Sequence, residues 1–196
     1  MRYSLTKYDI VLLGDFMKKL ILIGGSLATG KSTYSLILKE KFSINLLNKD
    51  RLKEILGDNI LVTNRTENKK LSVACFDLMI YFLENNFNNL IIESNFKDYE
   101  LKFLEEKCKE LNYDVLSIVF DAEDEILHQR FIKRLDENRH YVHKSQNFTN
   151  IEDFKIMLND LRKGEYFGKV IHVNCDSFDY QKDQSLLDKI KDFITQ

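Results

Sequence analysis

A short apolar segment that leads into a glycine-rich loop constrains this chain more than any other feature of its sequence. Residues 20–23, Leu-Ile-Leu-Ile, are apolar without interruption, as in a strand buried on both faces of a sheet. Residues 25–32, Gly-Ser-Leu-Ala-Thr-Gly-Lys-Ser, fit the pattern G-x-x-x-x-G-K-[ST] at every fixed position. A segment with helical periodicity comes next, with its apolar positions at Tyr34, Ile37, Leu38 and Phe42. Strand, glycine loop and helix in this order are the context in which the pattern binds phosphate.

The residue types of this phosphate loop, residues 25–32, explain its chemistry. Glycine lets the backbone curl so that successive N–H groups point at phosphate oxygens, and the following helix presents its positive end to the same anion. Lys31 is expected to reach the β- and γ-phosphates, and the Ser32 hydroxyl to bind Mg²⁺. A glycine-rich structural turn is the alternative, and it does not account for all four fixed positions. Nucleotide binding is therefore assigned to Gly25, Ser26, Leu27, Ala28, Thr29, Gly30, Lys31, Ser32 and Thr33.

Composition excludes several classes of protein. The 196 residues are about the length of one domain. A net charge of -2, from 29 basic and 31 acidic residues, provides no global field for nucleic acid or anionic lipid. No apolar run approaches the roughly 18 residues of a membrane span. Cys75, Cys108 and Cys175 are too few and too scattered for a disulfide scaffold or a zinc site. We therefore expect a cytoplasmic protein without a membrane partner.

Residues 1–16 form an extension ahead of the first strand. They carry one apolar run, Ile-Val-Leu-Leu at 10–13, which is too short for the core of a signal peptide. Either this run adds one extra strand or Met17 is the natural start of the chain, and the sequence leaves both open. We divide the chain into an N-terminal extension, residues 1–16, and a single domain, residues 17–196.

Strand and helix patterns alternate along the rest of the chain. Apolar strands are predicted at residues 44–47, 90–92, 115–120 and 170–173. The helix before the fourth strand is predicted to bury Tyr99, Phe103, Cys108 and Leu111. Strands that alternate with helices are joined by right-handed crossovers into a parallel sheet, so we predict an α/β fold. Ligands of such sheets bind beyond the carboxyl ends of the strands, where the functional residues are expected.

The segment after the second predicted strand offers a candidate base. Asp50 is placed to open a helix, where its carboxylate could serve only as an N-cap. The same carboxylate could instead accept the proton of an attacking hydroxyl, as the base does in phosphoryl transfer. Position alone leaves the two roles open. Lys53 is either a solvated helix charge or a contact to an anionic group of the phosphoryl acceptor.

A second carboxylate directly follows the third predicted strand. Glu93 begins the stretch Glu-Ser-Asn-Phe, after an apolar strand and next to the phosphate loop. This place suits a contact to a metal ion, to its water or to a substrate. We assign Glu93 and Ser32 as metal ligands. The alternative is an acid at the end of the strand that caps the next helix.

The basic cluster of the chain lies within residues 128–144, at Arg130, Lys133, Arg134, Arg139 and Lys144. The first two arginines are four residues apart, about one helical turn. A solvated charge face is one interpretation of the cluster. We favour a lid over about residues 128–150, whose arginines neutralise charge on a transferring phosphoryl group. His140 and His143 are interpreted as surface residues because no third metal ligand is evident.

Taken in order, the phosphate loop, residues 48–54, residues 93–96 and residues 130–143 resemble the P-loop kinases. More narrowly, the chain resembles the small AAA-domain "predicted kinase" group, which is related to polynucleotide 5′-kinases, zeta-toxin kinases and chloramphenicol phosphotransferase. The resemblance covers roughly residues 18–178. It implies a P-loop NTPase fold with three layers, α/β/α, and a five-stranded parallel sheet in the order 2-3-1-4-5.

The resemblance also implies roles on the acceptor side. It makes Asp50 the general base, and it makes Lys53 an acceptor-side cation at a position where relatives often have arginine. Glu93 and Asn95 match an acidic-x-Asn-Phe stretch that faces the acceptor. We therefore assign Lys53, Glu93 and Asn95 to substrate binding.

Further matches concern the lid and the nucleotide. Arg130 and Arg134 match the lid helix of adenylate-kinase-like folds, where the first arginine lies near the nucleotide base and the second lies near the phosphates. Arg139 opens a stretch that resembles an Arg-His-x-Gly-His lid segment, with Val142 in place of the glycine. Asp176 falls where relatives place the loop beside the adenine. These matches imply nucleotide binding by Arg130 and Asp176, and catalytic roles for Arg134 and Arg139 beside Lys31 and Asp50.

The leading hypothesis is an ATP-dependent kinase that transfers the γ-phosphate to a hydroxyl group of a small molecule, nucleoside or nucleotide, with ATP and Mg²⁺ as cofactors. A polynucleotide 5′-hydroxyl would need a basic channel, and only the lid cluster offers one, so nucleic acid is not favoured. The alternatives are an NTP hydrolase or a nucleotide-binding module without a phosphoryl acceptor. The sequence leaves the acceptor and the oligomeric state open.

Overall fold

The structure of the protein, a computed structural model, describes residues 17–135, 139–144 and 148–196. The N-terminal extension lies outside these residues, as do two short stretches of the predicted lid. The extra strand and the continuity of the lid therefore stay predictions.

Five strands form one sheet in the described part of the chain: β1 (Lys18–Gly25), β2 (Asn45–Asn48), β3 (Leu90–Glu93), β4 (Tyr113–Asp121) and β5 (Lys169–Asn174). Their order is β2-β3-β1-β4-β5, and every neighbouring pair is parallel. The predicted α/β fold with a parallel sheet ordered 2-3-1-4-5 is therefore confirmed. β1 suits the central position because all but its two end residues are buried.

Seven α-helices surround the sheet within the described residues: α1 (Lys31–Phe42), α2 (Lys49–Gly57), α3 (Arg65–Glu84), α4 (Asp98–Glu110), α5 (Asp124–Leu135), α6 (Ile151–Arg162) and α7 (Gln184–Thr195). Short 3₁₀ turns occur at Tyr141–His143 and Asp179–Lys182. None of these helices combines the length and the apolar character needed to cross a membrane.

The sheet separates two apolar layers because successive side chains of a strand point to opposite faces. Ile21 and Ile23 of β1 pack on one face with α1, α5, α6 and α7. Leu20 and Leu22 pack on the other face with α3 and α4. These contacts give the predicted three-layer α/β/α arrangement. The short α2 joins α3 through a smaller apolar cluster beside the sheet.

The buried face of α4 differs from the prediction. Leu104 and Cys108 are buried, whereas Tyr99 and Phe103 are 58% and 43% exposed. The prediction of Tyr99 and Phe103 as inner residues was therefore wrong. The buried face of the helix instead includes the carboxylate of Glu100, which a search for apolar periodicity does not detect.

The carboxyl ends of three neighbouring strands bring the candidate residues together. Glu93 at the end of β3 is in register with Ile23 of β1 and with Asn48 of β2. The Ser94 N–H donates to the Ile23 carbonyl oxygen at 3.1 Å and extends this contact by one residue. Because β1 continues into the phosphate loop and β2 into α2, the loop, Glu93 and Asp50 lie at one edge of the sheet.

Candidate active site

The phosphate loop has a backbone conformation that depends on its glycines. Gly25 and Gly30 have φ angles of 110° and 91°, in the region that favours glycine. A Cβ atom on Gly25 would lie 2.1 Å from the Phe120 carbonyl oxygen, so a side chain there has no space. Gly30 is the N-cap of α1 and supplies no side-chain hydrogen bond to its first turn. The N–H groups of that turn and the positive end of α1 therefore suit an anion.

Lys31 lies buried against this loop. Its Nζ donates to the Ser26 carbonyl oxygen and, at 3.2 Å, to Thr29 Oγ1. Burial lowers the pKa of Lys31 to about 8, and the negative charges of Glu93 and Asp50 oppose that shift. The three groups are thus close enough for each carboxylate to stabilise the ammonium charge.

Glu93 connects the phosphate loop to the end of β2. Its Oε2 accepts a hydrogen bond from Ser32 Oγ at 3.2 Å and another from Asn48 Nδ2. Burial raises the pKa of Glu93 to about 7, although the positive charge of Lys31 acts in the opposite direction. A buried carboxylate with a pKa this high, next to a lysine in a cleft, is typical of a functional site.

Asp50 lies in the first turn of α2, but it does not cap the helix. The N-cap is Asn48, whose Oδ1 accepts from the Arg51 N–H at 2.7 Å. The alternative interpretation of Asp50 as a plain N-cap is therefore wrong. The exposed carboxylate of Asp50 faces the same cleft as Lys31, and its charge acts on Lys31, on Glu93 and on Lys53.

A cleft of about 1300 Å³ collects these side chains. Its loop side consists of residues 27–33, Arg130, Arg134, Phe178 and Gln181. Its α2 side is formed by residues of α2 and α3, together with Glu93, Ser94, Asn95, Lys97, Glu100, Arg139, Val142 and His143. Residues of α6, including Asp153 and Asp160, also line the cleft. Gly25 and Ser26 line a second cavity of about 680 Å³ instead, so their side of the loop does not face the main cleft.

Two of the predicted acceptor contacts, Lys53 and Asn95, lie on the α2 side. Lys53 is half-buried, and burial lowers the pKa of its ammonium group, with Asp50 opposing the shift. Asn95 is also half-buried, and its Oδ1 is buried without a hydrogen-bond partner among the described residues. Both residues therefore line the cleft, although the Oδ1 atom of Asn95 is itself buried.

Arg130 and Asp176 meet at the end of the cleft formed by the segment after β5. The Arg130 guanidinium donates to the carbonyl oxygens of Cys175 and Asp176 at 2.6 and 2.9 Å. It also lies over the ring of Phe178, 4.1 Å from the centroid. The Asp176 carboxylate accepts from the Glu123 N–H at 2.9 Å and is not part of the cleft lining. In this structure the Asp176 side chain thus holds its own loop, and Arg130 positions Phe178.

Arg134 and Arg139 reach the cleft from opposite sides. Arg134, near the end of α5, is exposed, and its positive charge lowers the pKa of Lys31. Arg139 lies on the α2 side, and its charge, like the burial of the ring, lowers the pKa of His143. The structure therefore brings both arginines to the cleft that contains Lys31 and Asp50.

Residues 139–144 are docked on α2 and α3. His140 and His143 contact Asp58 and Glu54 through their Nε2 atoms at 3.0 and 3.2 Å. Val142 is buried in the cluster that joins α2 to α3. The interpretation of His143 as a surface residue was therefore wrong, because only 10% of its side chain is exposed. This part of the predicted lid forms a wall of the cleft.

Sequence reasoning missed several residues that support the site. Tyr166 accepts a hydrogen bond from the Gly25 N–H at 2.6 Å, and the Tyr180 hydroxyl donates to the Thr29 carbonyl oxygen at 2.7 Å. Both tyrosines lie far from the phosphate loop in sequence, so no local signal reveals them. Asn48 as the N-cap was detectable, since asparagine is a preferred residue at that position.

The residues at the end of β3 suit a divalent cation that prefers oxygen. Ser32 Oγ and Glu93 Oε2 are 3.2 Å apart, and both are hard oxygen donors. In the described ranges, no three His, Cys, Asp or Glu residues are grouped to hold an ion by themselves. This set fits Mg²⁺, which is usually bound by one or two protein oxygens together with phosphate and water.

The chain matches no family sequence model and no curated protein sequence. Its structure is similar to that of a protein from Chloroflexus aurantiacus with a provisional kinase assignment, with a TM-score of 0.76 at 20% identity; the match covers 92% of this chain and 100% of that one. Shikimate kinase from Bacteroides thetaiotaomicron has a TM-score of 0.58 at 13% identity, covering 91% and 99%. The Deinococcus radiodurans tunicamycin resistance protein has a TM-score of 0.58 at 17% identity, covering 89% and 95%. The protein thus has the fold of the small P-loop kinases.

Proposed function

We propose that the protein transfers the γ-phosphate of ATP to a hydroxyl group of a small molecule, nucleoside or nucleotide. The observation that carries the proposal is the shared cleft, in which Lys31, Glu93 and Asp50 act on one another's charges. The fold adds support, since P-loop kinases perform phosphoryl transfer mainly by positioning and by electrostatic stabilisation.

The loop side of the cleft binds the nucleotide. The first-turn N–H groups of α1 and the loop backbone face the β- and γ-phosphates, and Lys31 contributes its ammonium group. Arg130 and Phe178 lie further along the same side, where their cation–π pair provides a surface for the adenine base. Asp176 shapes this end of the site through the loop that it holds.

Ser32 and Glu93 would hold Mg²⁺ at the junction of the two sides. When bound there, the ion would offset the negative charge of the transferring phosphoryl group. Asn48 keeps Glu93 in place through its side-chain hydrogen bond, and it caps α2 with its other amide atom. One asparagine thus aligns the proposed metal ligand with the helix that carries Asp50.

Asp50 acts as the general base. As the acceptor oxygen bonds to the γ-phosphorus, the hydroxyl proton passes to the Asp50 carboxylate. The bond from the γ-phosphorus to the bridging oxygen breaks, and ADP leaves. Because Asn48 caps α2, the Asp50 carboxylate is free of that structural task. Arg134 and Arg139 then stabilise charge on the transferring group from the two sides of the cleft.

Transfer of label from ATP tests the proposal. ATP labelled on its γ-phosphate is incubated with the protein, Mg²⁺ and a panel of hydroxyl compounds, and the products are separated. We expect label in an organic phosphate ester. Lys31→Met should reduce its formation by about 10²-fold or more, the scale for losing one transition-state donor. Lys39→Met changes an exposed lysine at the far end of α1 and should be without effect. Label found only in inorganic phosphate would indicate a hydrolase and overturn the proposal.

A further inference from the structure

The α2 side of the cleft has more positive than negative charge. Among its described residues, five cations line it: Lys49, Lys53, Arg65, Lys97 and Arg139. Three carboxylates face them, those of Asp50, Glu93 and Glu100. The whole chain, in contrast, has a net charge of -2. Positive charge is therefore concentrated on this side of the cleft, although the chain as a whole is slightly negative.

One cation and one carboxylate of this set neutralise each other. Lys49 Nζ lies 2.5 Å from Glu100 Oε1, and the two side chains are only 8% and 4% exposed. Lys49 also lies over the Phe76 ring, 5.4 Å from its centroid. Such a buried, close pair has no charge left for a ligand. Of the other cations, Lys53, Arg65 and Lys97 form no ion pair within the described residues, and two carboxylates remain to be considered.

The two remaining carboxylates have other tasks in the proposed mechanism. Glu93 is held by Ser32 and Asn48 at the proposed metal site. Asp50 is the proposed base. Neither forms an ion pair with a lysine or arginine within the described residues. Lys53, Arg65 and Lys97 are therefore not paired with either of these carboxylates in the described residues.

Lys53 is one of these unpaired cations on the α2 side of the cleft. Its ammonium group is half-buried and makes no hydrogen bond or ion pair in the described parts of the chain. The neighbouring Glu54 is already engaged by Arg51 and by His143. The Asp50 charge offsets part of the cost of burying this ammonium group, and an anionic ligand group in direct contact would offset more of it.

The surroundings of Lys53 also suit a small polar ligand. Burial lowers the pKa of the neighbouring His143, which favours the uncharged ring as a hydrogen-bonding group. Asn95 lines the same side of the cleft, and its side-chain amide adds a second uncharged hydrogen-bonding group. A hydroxyl compound with one anionic group would thus meet complementary groups at both ends.

We propose that the phosphoryl acceptor is a small hydroxyl compound with a carboxylate or phosphate group, which Lys53 binds beside Asp50. Lys97 and Arg65 line the same side of the cleft. The anion site follows from the charges alone, whereas its identification as the acceptor site rests on the proposed kinase function. A polynucleotide end would share the phosphate chemistry, but it needs a row of cations along an open groove. Here the cations converge on one cleft.

Binding to the nucleotide-loaded protein tests this inference. The first titration, of ADP with Mg²⁺ by calorimetry, examines the loop side alone. Sulfate, glycerate and ribose 5-phosphate are then titrated into protein saturated with ADP and Mg²⁺, at constant ionic strength. Neutral compounds such as glycerol and ribose are titrated in the same way for comparison. We expect at least one of these anions to bind with a Kd below about 10 mM, and the neutral compounds to bind at least ten-fold more weakly.

Variants at Lys53 locate the anion. Lys53→Gln should weaken anion binding by about ten-fold or more, as expected for losing one charged hydrogen bond. Lys53→Arg keeps the charge and should retain binding, and ADP affinity should be the same in both. Lys102→Gln, on the exposed face of α4 and paired with Asp98, is the matched control.

The outcomes separate the two proposals. Failure of ADP to bind would contradict the nucleotide site and the kinase proposal without reference to the anion. Normal ADP binding with no anion bound, or with binding that Lys53→Gln leaves unchanged, would overturn the anionic acceptor alone. A 5′-hydroxyl oligonucleotide that binds far more tightly than the small anions, in a Lys53-dependent manner, would overturn the small acceptor in favour of a nucleic-acid end.

Discussion

Replacing Tyr166 by phenylalanine removes a single hydroxyl group that holds the beginning of the phosphate loop. That hydroxyl accepts the Gly25 N–H at 2.6 Å, and the Tyr166 ring lies against Gly24, where an added Cβ would be 2.0 Å from the hydroxyl oxygen. Phenylalanine preserves the ring and its packing. The variant therefore isolates the hydrogen bond between the loop after α6 and the phosphate loop.

The structure sets the size of the expected effect. An N–H group left without a partner in the interior costs about 1–3 kcal/mol. Gly25 is only half-buried and borders the cavity of about 680 Å³, which admits water, so the lower half of that range applies. For a chain of this length, about 1–2 kcal/mol corresponds to a decrease in Tm of about 2–8 °C.

Thermal unfolding of the purified variant measures this effect. Tyr81→Phe is the control, because the Tyr81 side chain is 59% exposed on α3 and its hydroxyl makes no hydrogen bond among the described residues. We expect the Tm of Tyr81→Phe to stay within about 1 °C of the unmodified protein, since surface substitutions are usually close to neutral. If Tyr166→Phe melts at the same temperature as Tyr81→Phe, the hydrogen bond to Gly25 does not stabilise the loop, and the argument is refuted.

Two further substitutions test the buried charges. Glu100→Gln leaves the Lys49 ammonium buried without its carboxylate and should lower the free energy of unfolding in urea by about 3–5 kcal/mol. Glu105→Gln on the same helix breaks an exposed pair with Lys109 and should cost at most about 1 kcal/mol; equal losses would contradict the argument. Glu93, with its pKa raised to about 7, keeps its proton in the folded protein at pH values where the unfolded chain has lost it. Without nucleotide or metal, the free energy of unfolding should therefore fall by about 3 kcal/mol as pH rises from 4.5 to 7. Glu93→Gln should remove this decrease, and an unchanged pH profile would show that another group causes it.

Much of the fold could be predicted because it follows from local patterns. The uninterrupted apolar run at 20–23 predicts a buried strand, and residues 25–32 specify a loop conformation and its ligand class. Parallel strands place their carboxyl ends at one edge, so the proximity of Asp50, Glu93 and Lys31 was predictable without coordinates. Their common cleft in the structure agrees with that expectation.

Other features could not be predicted because they depend on contacts between distant segments. Tyr166 reaches Gly25 across 141 positions of the chain, and its loop carries no pattern that indicates such a role. The pair of Lys49 and Glu100 buries two charges that hydropathy places on the surface, and α4 consequently exposes Tyr99 and Phe103. These are cases in which tertiary packing overrides local preference.

The position of residues 139–144 depends in the same way on packing. The sequence indicated charge and histidine in this segment but not the surface that it would meet. Val142 is buried in the cluster between α2 and α3, and Tyr141 donates through its hydroxyl to the Gly57 carbonyl oxygen at 2.5 Å. The segment thereby brings Arg139 to the α2 side of the cleft, a placement that only the assembled fold determines.

The central claim, that Asp50 is the base of a phosphotransferase, is tested most directly by Asp50→Asn measured in two ways on one preparation. Calorimetry gives the affinity for ADP with Mg²⁺, and label transfer from ATP to an acceptor identified in the screen gives turnover per folded molecule. Asp77→Asn, an exposed position on α3 outside the cleft, is the control. We predict unchanged ADP affinity and a fall in transfer of roughly 10²–10⁴-fold for Asp50→Asn alone. Transfer that persists at the level of the Asp77→Asn control would contradict the proposed mechanism.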